Sequence, residues 1–180
     1  ARRLLHHSHL FLLAKGNLLP MVYEGALKLK EIARLHAEGY SAGEFGHGPL
    51  ALAGPDTPVA VMAFSDSHNG KGSFTDLARA LKDRGAPLIL FAEDGPRKDP
   101  ELLKTADCAI LLPPAHPRLR PFAALIPLQL LACSLGRLKG LDVDRPAGLL
   151  DPLPLPPGER LRREFPDQRM PYLAMEALDS

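Results

Sequence analysis

Four short runs, His9 to Ala14, Pro58 to Phe64, Pro87 to Ala92 and Cys108 to Leu112, are nearly continuous in apolar character and have the length of β-strands. Between and after them the period changes. From Leu19 to Ala37 the apolar residues Val22, Ala26, Leu29, Ile32 and Leu35 recur at three- and four-residue steps, which places them on one stripe of a helix. Phe74, Leu77, Ala78 and Leu81 repeat the pattern in a second helix. The run from Phe122 to Leu138 is apolar nearly all round apart from Pro127, Gln129 and Ser134, and predicts a deeply buried third long helix with a kink at Pro127. Apolar strands that alternate with helices are covered on both faces. The pattern therefore predicts an α/β fold, a three-layer α/β/α arrangement around a mainly parallel central sheet, with ligands at the carboxyl ends of the strands.

The character changes at Asp151. Pro152, Pro154, Pro156 and Pro157 make an extended, helix-breaking stretch, followed by a charged run from Glu159 to Glu164. The expected organisation is one domain over 1–150 and a Pro-rich C-terminal tail over 151–180. A chain of 180 residues, 46% hydrophobic and 24% charged, can build one sizeable core. Its 22 basic and 21 acidic residues leave a net charge of +1, so no electrostatic argument favours nucleic acid or an anionic membrane. Cys108 and Cys133 each lie in an apolar run rather than in a metal-ligand spacing, which predicts neither zinc site nor disulfide and a reducing, cytoplasmic setting. The longest apolar stretches are cut by Lys15, Pro127 or Arg137, so neither secretion nor a membrane span is expected. A first residue of Ala rather than Met suggests a processed protein or a piece of something longer.

Candidate chemistry concentrates on the first helix. Glu24, Lys28 and Glu31 are four and three residues apart and project opposite the apolar stripe, so two carboxylates flank one ammonium. This arrangement suits proton transfer, with a carboxylate as base and the lysine stabilising developing negative charge. The same spacing also describes a solvated face with two salt-bridging pairs. The stretch from His36 to Leu50 follows, in which four glycines and Pro49 around His47 predict a shaped loop. A histidine there suits general acid or base work, or simply satisfies backbone groups in a turn.

Two places could receive a phosphate or a sugar hydroxyl. Ser65, Ser67, Asn69 and Lys71 lie between the second strand and the second helix, where backbone N–H groups, hydroxyls and an ammonium can cradle a phosphate. Asp66 and Asp76 oppose that reading and favour the alternative of a surface turn in which Ser73 simply caps the helix. Gly16 and Asn17, after the first strand, form a second candidate sugar contact. His6, His7 and His9 read as surface residues, and no metal or other cofactor is implied.

Several blocks then carry a resemblance. Glu24-Gly25-Ala26-Leu27-Lys28-Leu29-Lys30-Glu31-Ile32, His36-Ala37-Glu38, Gly43-Glu44, His47-Gly48-Pro49-Leu50-Ala51-Leu52, Ile126-Pro127-Leu128-Gln129-Leu130-Leu131-Ala132 and Lys139-Gly140-Leu141-Asp142-Val143-Asp144-Arg145-Pro146 occur in this order. Together they closely resemble the second sugar isomerase (SIS) domain of the glucosamine-6-phosphate synthase family. The resemblance implies that Glu31 shuttles a proton between C1 and C2 of an open-chain sugar phosphate through an enediol-type intermediate, with Lys28 beside it. It implies that His47 opens the sugar ring and serves the neighbouring subunit of a homodimer. The lysine with which that family forms a Schiff base corresponds to Asp151 here. The expected function is therefore that of a phosphosugar isomerase or amino-sugar-phosphate deaminase, as the C-terminal half of a two-SIS protein. The alternative is a non-catalytic sugar-phosphate-binding or regulatory module.

Overall fold

The computed structural model describes residues 1–64, 74–95 and 99–149, of which Ala1–Ala147 form one compact unit. The expected tail over 151–180 lies outside the described residues, as do Asp151 and the loop with Ser65, Ser67, Asn69 and Lys71. Five strands, β1 (His9–Ala14), β2 (His36–Ser41), β3 (Val59–Ala63), β4 (Leu88–Glu93) and β5 (Cys108–Leu112), form a sheet of order β2-β1-β3-β4-β5. Every neighbouring pair is parallel, and one row of the register runs Gly39, Leu12, Ala60, Ile89, Cys108 across the whole sheet. The helices are α1 (Leu19–Ala33), α2 (Phe74–Asp83), α3 (Pro100–Thr105) and α4 (Arg120–Leu138).

Alternation along each strand builds two cores. Leu10, Leu12, Ala14, Ala60, Met62 and Phe91 pack against α1 and α4 on one face. Phe11, Leu13, Val59, Val61, Leu88 and Leu90 pack on the other face with Phe45 and residues of α2 and α3. This is the expected three-layer arrangement, because each inner strand has an apolar partner on both sides.

Three expectations need correction. The segment from His36 onward is not loop throughout, since its first six residues are the edge strand β2. Only Ala37 of these is fully buried, so no apolar run announces the strand. Gly39 is required there, because a Cβ would lie 2.6 Å from Tyr23 Cδ1 on the helix above. The first helix stops at Ala33, where Arg34 adopts the left-handed conformation (φ 47°) and returns its N–H to the Leu29 carbonyl. Finally, α4 is not deeply buried. Ala124, Leu128, Leu131, Ala132 and Leu135 face the core, whereas Phe122, Ile126 and Leu130 on the other side are 65%, 56% and 61% exposed. An all-round apolar composition predicts cover on every side, and the described residues supply it on one. The helix continues through Pro127.

The short α3 was not predicted. Its start is set by Asp99, whose carboxylate accepts the N–H groups of Glu101 and Leu102, with Pro100 pre-shaped for the first turn. Helices α1 and α4 lie side by side, brought close by glycines. A Cβ on Gly25 would meet Leu128 Cδ1 at 2.4 Å, and one on Gly136 would meet the Ile32 carbonyl oxygen at 2.8 Å.

Candidate functional site

The expected charged group on α1 is assembled. Val22, Gly25, Ala26, Leu29 and Ala33 turn inward, which leaves Glu24, Lys28 and Glu31 on the outer face. Lys28 Nζ donates to Glu31 Oε2 at 2.7 Å and lies 3.5 Å from Glu24 Oε1. The three side chains are only 36%, 28% and 23% exposed for Glu24, Lys28 and Glu31 respectively, so the pairs are partly shielded from solvent. The hydrogen bond to Glu31 raises the Lys28 pKa. Partial burial opposes that shift, and the charges of Glu31 and Glu24 reinforce it. Lys28 is thus held as a cation between two carboxylates. A carboxylate beside a fixed cation can take and return a carbon-bound proton while the cation stabilises charge on the adjacent oxygen.

His47 does not join this group within the chain. It is exposed at the end of a 3-10 turn, Phe45–His47, that follows β2. Phe45 anchors that turn in the α2/α3 core, in edge contacts with Phe11 and Tyr40, on the face of the sheet opposite α1. The turn also lies beyond the carboxyl end of the strands, whereas α1 runs back from that end and carries Glu31 toward the amino end. The sheet therefore separates the two.

Gly16 and Asn17 are exposed in a 3-10 turn at the carboxyl end of β1, with Gly16 at φ 58°. They precede the start of α1. At 1.5 Å per residue the helix carries Glu31 about 18 Å away from Leu19, so these two positions are not brought to Glu31. Next to them Lys15 Nζ sits 4.9 Å from the centre of the Phe74 ring.

Other polar relationships gave no signal in the sequence, most of them because their partners are remote. Arg120 at the start of α4 and Glu93 at the end of β4 form a buried ion pair at 3.2 Å, and Glu93 also accepts the Ala115 N–H at 2.7 Å. Lys139 Nζ donates to the Ala33 carbonyl at 3.0 Å and so caps the end of the helix that bears Glu31; burial there lowers its pKa. On β2, Tyr40 donates its hydroxyl to Glu38 at 2.5 Å. The exposed His9 has its Nδ1 3.0 Å from Nδ1 of His36, one ring donating and the other accepting. Among the described residues no three His, Cys, Asp or Glu side chains gather as a metal site. A cavity of about 330 Å³ opens beside the N-terminal turn, floored by Ile89, Phe91, Ile110 and Leu131, and none of the predicted site residues lines it.

Comparison with known proteins supplies the remaining evidence. Residues 3–136 match the SIS domain family. The chain is 39% identical over 153 residues to glutamine–fructose-6-phosphate aminotransferase (isomerizing) of Streptomyces coelicolor, covering 83% of this chain and 24% of that protein. It is 44% identical over 134 residues to the protein of the same name from Leifsonia xyli, covering 72% of this chain and 21% of the relative. The chain thus spans about a quarter of the length of these curated relatives. Among solved structures it resembles the C-terminal domain of glucosamine-fructose-6-phosphate aminotransferase from Francisella tularensis, with 34% identity, a TM-score of 0.69, and 79% of this chain and 39% of that chain covered. With the parallel β2-β1-β3-β4-β5 sheet and the matched span agreeing, the chain belongs to the SIS domain family.

Proposed function

We propose that this chain supplies the proton-transfer half of a site that isomerises or deaminates a phosphorylated sugar or amino sugar. The observation that carries the reading is the placement of Lys28 between Glu24 and Glu31 on the outer face of α1. In the proposed reaction the Glu31 carboxylate removes a proton from the carbon beside the sugar carbonyl, the electron pair moves through that carbonyl to give an enediolate, the proton of the adjacent hydroxyl passes to the former carbonyl oxygen, and the same carboxylate returns its proton to the former carbonyl carbon. Lys28 stabilises the charge that develops on the sugar oxygens. His47 opens the ring at a site to which another subunit contributes, a role supported by its separation from Glu31 across the sheet. Gly16 and Asn17, and Ser65, Ser67, Asn69 and Lys71, are further proposed sugar-phosphate contacts; Gly16 and Asn17 lie too far from Glu31 of the same chain to share its substrate, so under this reading they serve, like His47, a site completed by another subunit or domain.

Glu31→Gln tests this reading. Loss of fructose 6-phosphate/glucose 6-phosphate interconversion, or of ammonia release from glucosamine 6-phosphate, with the fold intact is the expected result. Unchanged turnover in the variant would overturn it.

A second reading is favoured by the open position of Glu24, Lys28 and Glu31 on a helix surface, away from the cavity beside the N-terminal turn. Under it the domain holds a sugar phosphate without transforming it. Titration calorimetry with fructose 6-phosphate and glucosamine 6-phosphate separates the two, since binding without any turnover selects the second.

A further inference from the structure

The cavity of about 330 Å³ beside the N-terminal turn lies on the α1/α4 face of the sheet and runs from the amino end of β4 and β5 toward their middle. Ile89 and Phe91 of β4, Ile110 of β5 and Leu131 of α4 give it an apolar wall. Its rim is different. Arg2 and Arg3, both exposed, line it from the turn Arg2–Leu4, which the buried Leu4 anchors to the body. Arg3 donates Nη1 to the Asp107 carbonyl at 2.8 Å and so ties the turn to the residue before β5. The Asp107 carboxylate is itself engaged by Lys82 at 2.6 Å and by the Leu88 N–H at 2.8 Å. Among the described residues no carboxylate lies at ion-pair distance from either guanidinium. Two positive charges therefore stand at the edge of an apolar hollow.

A pocket built this way suits a ligand with two unlike ends. The apolar wall favours hydrocarbon taken out of water, and guanidiniums at the rim favour a carboxylate, which they grip through parallel N–H donors. Volume limits the body, since about 330 Å³ accommodates roughly ten non-hydrogen atoms at the ~30 Å³ that a water molecule takes in the liquid. We infer that this cavity binds an amphipathic carboxylate, a saturated acyl chain of about eight carbons laid against Ile89, Phe91, Ile110 and Leu131 with its head group held by Arg2 and Arg3. A sugar phosphate suits the place poorly, because its hydroxyls would face a wall that offers them no hydrogen bonds. The inference rests on the cavity and is independent of the sugar chemistry proposed for Glu31. β4 and β5 lie at the side of the sheet away from β2, and Glu24, Lys28 and Glu31 lie on the outer face of α1. Leu131 nevertheless belongs to α4, the helix that packs on α1 through Gly25 and Gly136, so the ligand touches the layer that carries Glu31 without touching Glu31.

Equilibrium dialysis of the full 180-residue chain against radiolabelled octanoate tests the inference. A single octanoate per chain is expected at saturation. Arg2→Glu, at an exposed position, should weaken binding by about tenfold or more, because it sets a carboxylate against the head group. Ile110→Trp should abolish binding by filling the cavity. Octanol keeps the chain without the charge and should compete about tenfold more weakly than unlabelled octanoate, whereas inorganic phosphate keeps a charge without the chain and should leave octanoate bound. Circular dichroism checks that each variant folds. Because Ile110 is partly buried, Arg2→Glu carries the test should Ile110→Trp fail to fold. No retained octanoate, several octanoates per chain, binding indifferent to Arg2→Glu, octanol competing as well as octanoate, or displacement by phosphate at equal concentration would each overturn it.

Discussion

Arg120 and Glu93 meet across the sheet's carboxyl end at 3.2 Å, with each side chain only 9% exposed. Their pairing fixes the first turn of α4 against the last residue of β4. Removing one partner leaves the other charge buried, so Arg120→Met or Glu93→Leu alone should cost about 3 kcal/mol, read as a lower denaturant midpoint. Replacing both by Met and Leu should recover most of that loss, because the desolvation of two charges disappears with them.

The close approach of α1 and α4 yields a contrast between two glycines. At Gly136 a new methyl group meets the Ile32 carbonyl, which is backbone, and Val143 Cγ1, both at 2.8 Å. At Gly25 the hardest contact is Leu128 Cδ1 at 2.4 Å, a side-chain end that can rotate, while Leu128 Cβ and Cγ at 3.1 and 3.2 Å need to give by only a few tenths of an ångström. Gly136→Ala should therefore destabilise by about 1–3 kcal/mol, and Gly25→Ala by less. Thermal unfolding of the two variants side by side checks the order.

Asp107 links β4 to β5 and sets an acid limit. Burial on its own would raise its pKa, but the Leu88 N–H at 2.8 Å and Lys82 at 2.6 Å outweigh it and hold the carboxyl below its ordinary 3.8. A carboxylate whose pKa is depressed on folding stabilises above its unfolded pKa and loses that contribution as pH falls through the folded value. Asp107→Asn should flatten the stability curve below about pH 4 and lower the plateau at neutral pH, measured by urea unfolding across the acid range.

Lys28 has the opposite sign. Its pKa is raised above 10.5, chiefly by the hydrogen bond to Glu31, so its stabilisation is fully present below that pH and is lost as pH rises through the folded value. Lys28→Met should remove part of the alkaline slope, measured by urea unfolding between neutral and alkaline pH. An alkaline slope identical to that of the parent chain would place the coupling elsewhere.

Much of this architecture is legible in the chain, for physical reasons that differ by element. The predicted bounds of β1 and β5 coincide with the observed ones, and those of β3 and β4 fall within one residue, because apolar runs bounded by Pro58 and Pro87 leave little choice of register. β2 escaped notice since an edge strand beneath a helix needs Gly39 and only one fully buried side chain. The grouping of Glu24, Lys28 and Glu31 was legible because helical geometry alone brings them together. The place of His47 was not, for it depends on which core Phe45 enters, and neither was the Arg120–Glu93 pair, whose members are 27 residues apart.

The strand order has a consequence for how the molecule assembles. β1 lies between β2 and β3, so the sheet grows first to one side and thereafter only to the other. The unit β1-α1-β2 closes over a short stretch of chain, and β3, β4 and β5 then add outward one by one, each needing only the strand before it as a template. Native-state hydrogen exchange should accordingly find the slowest amides in β1 and β3, and the earliest opening at β5.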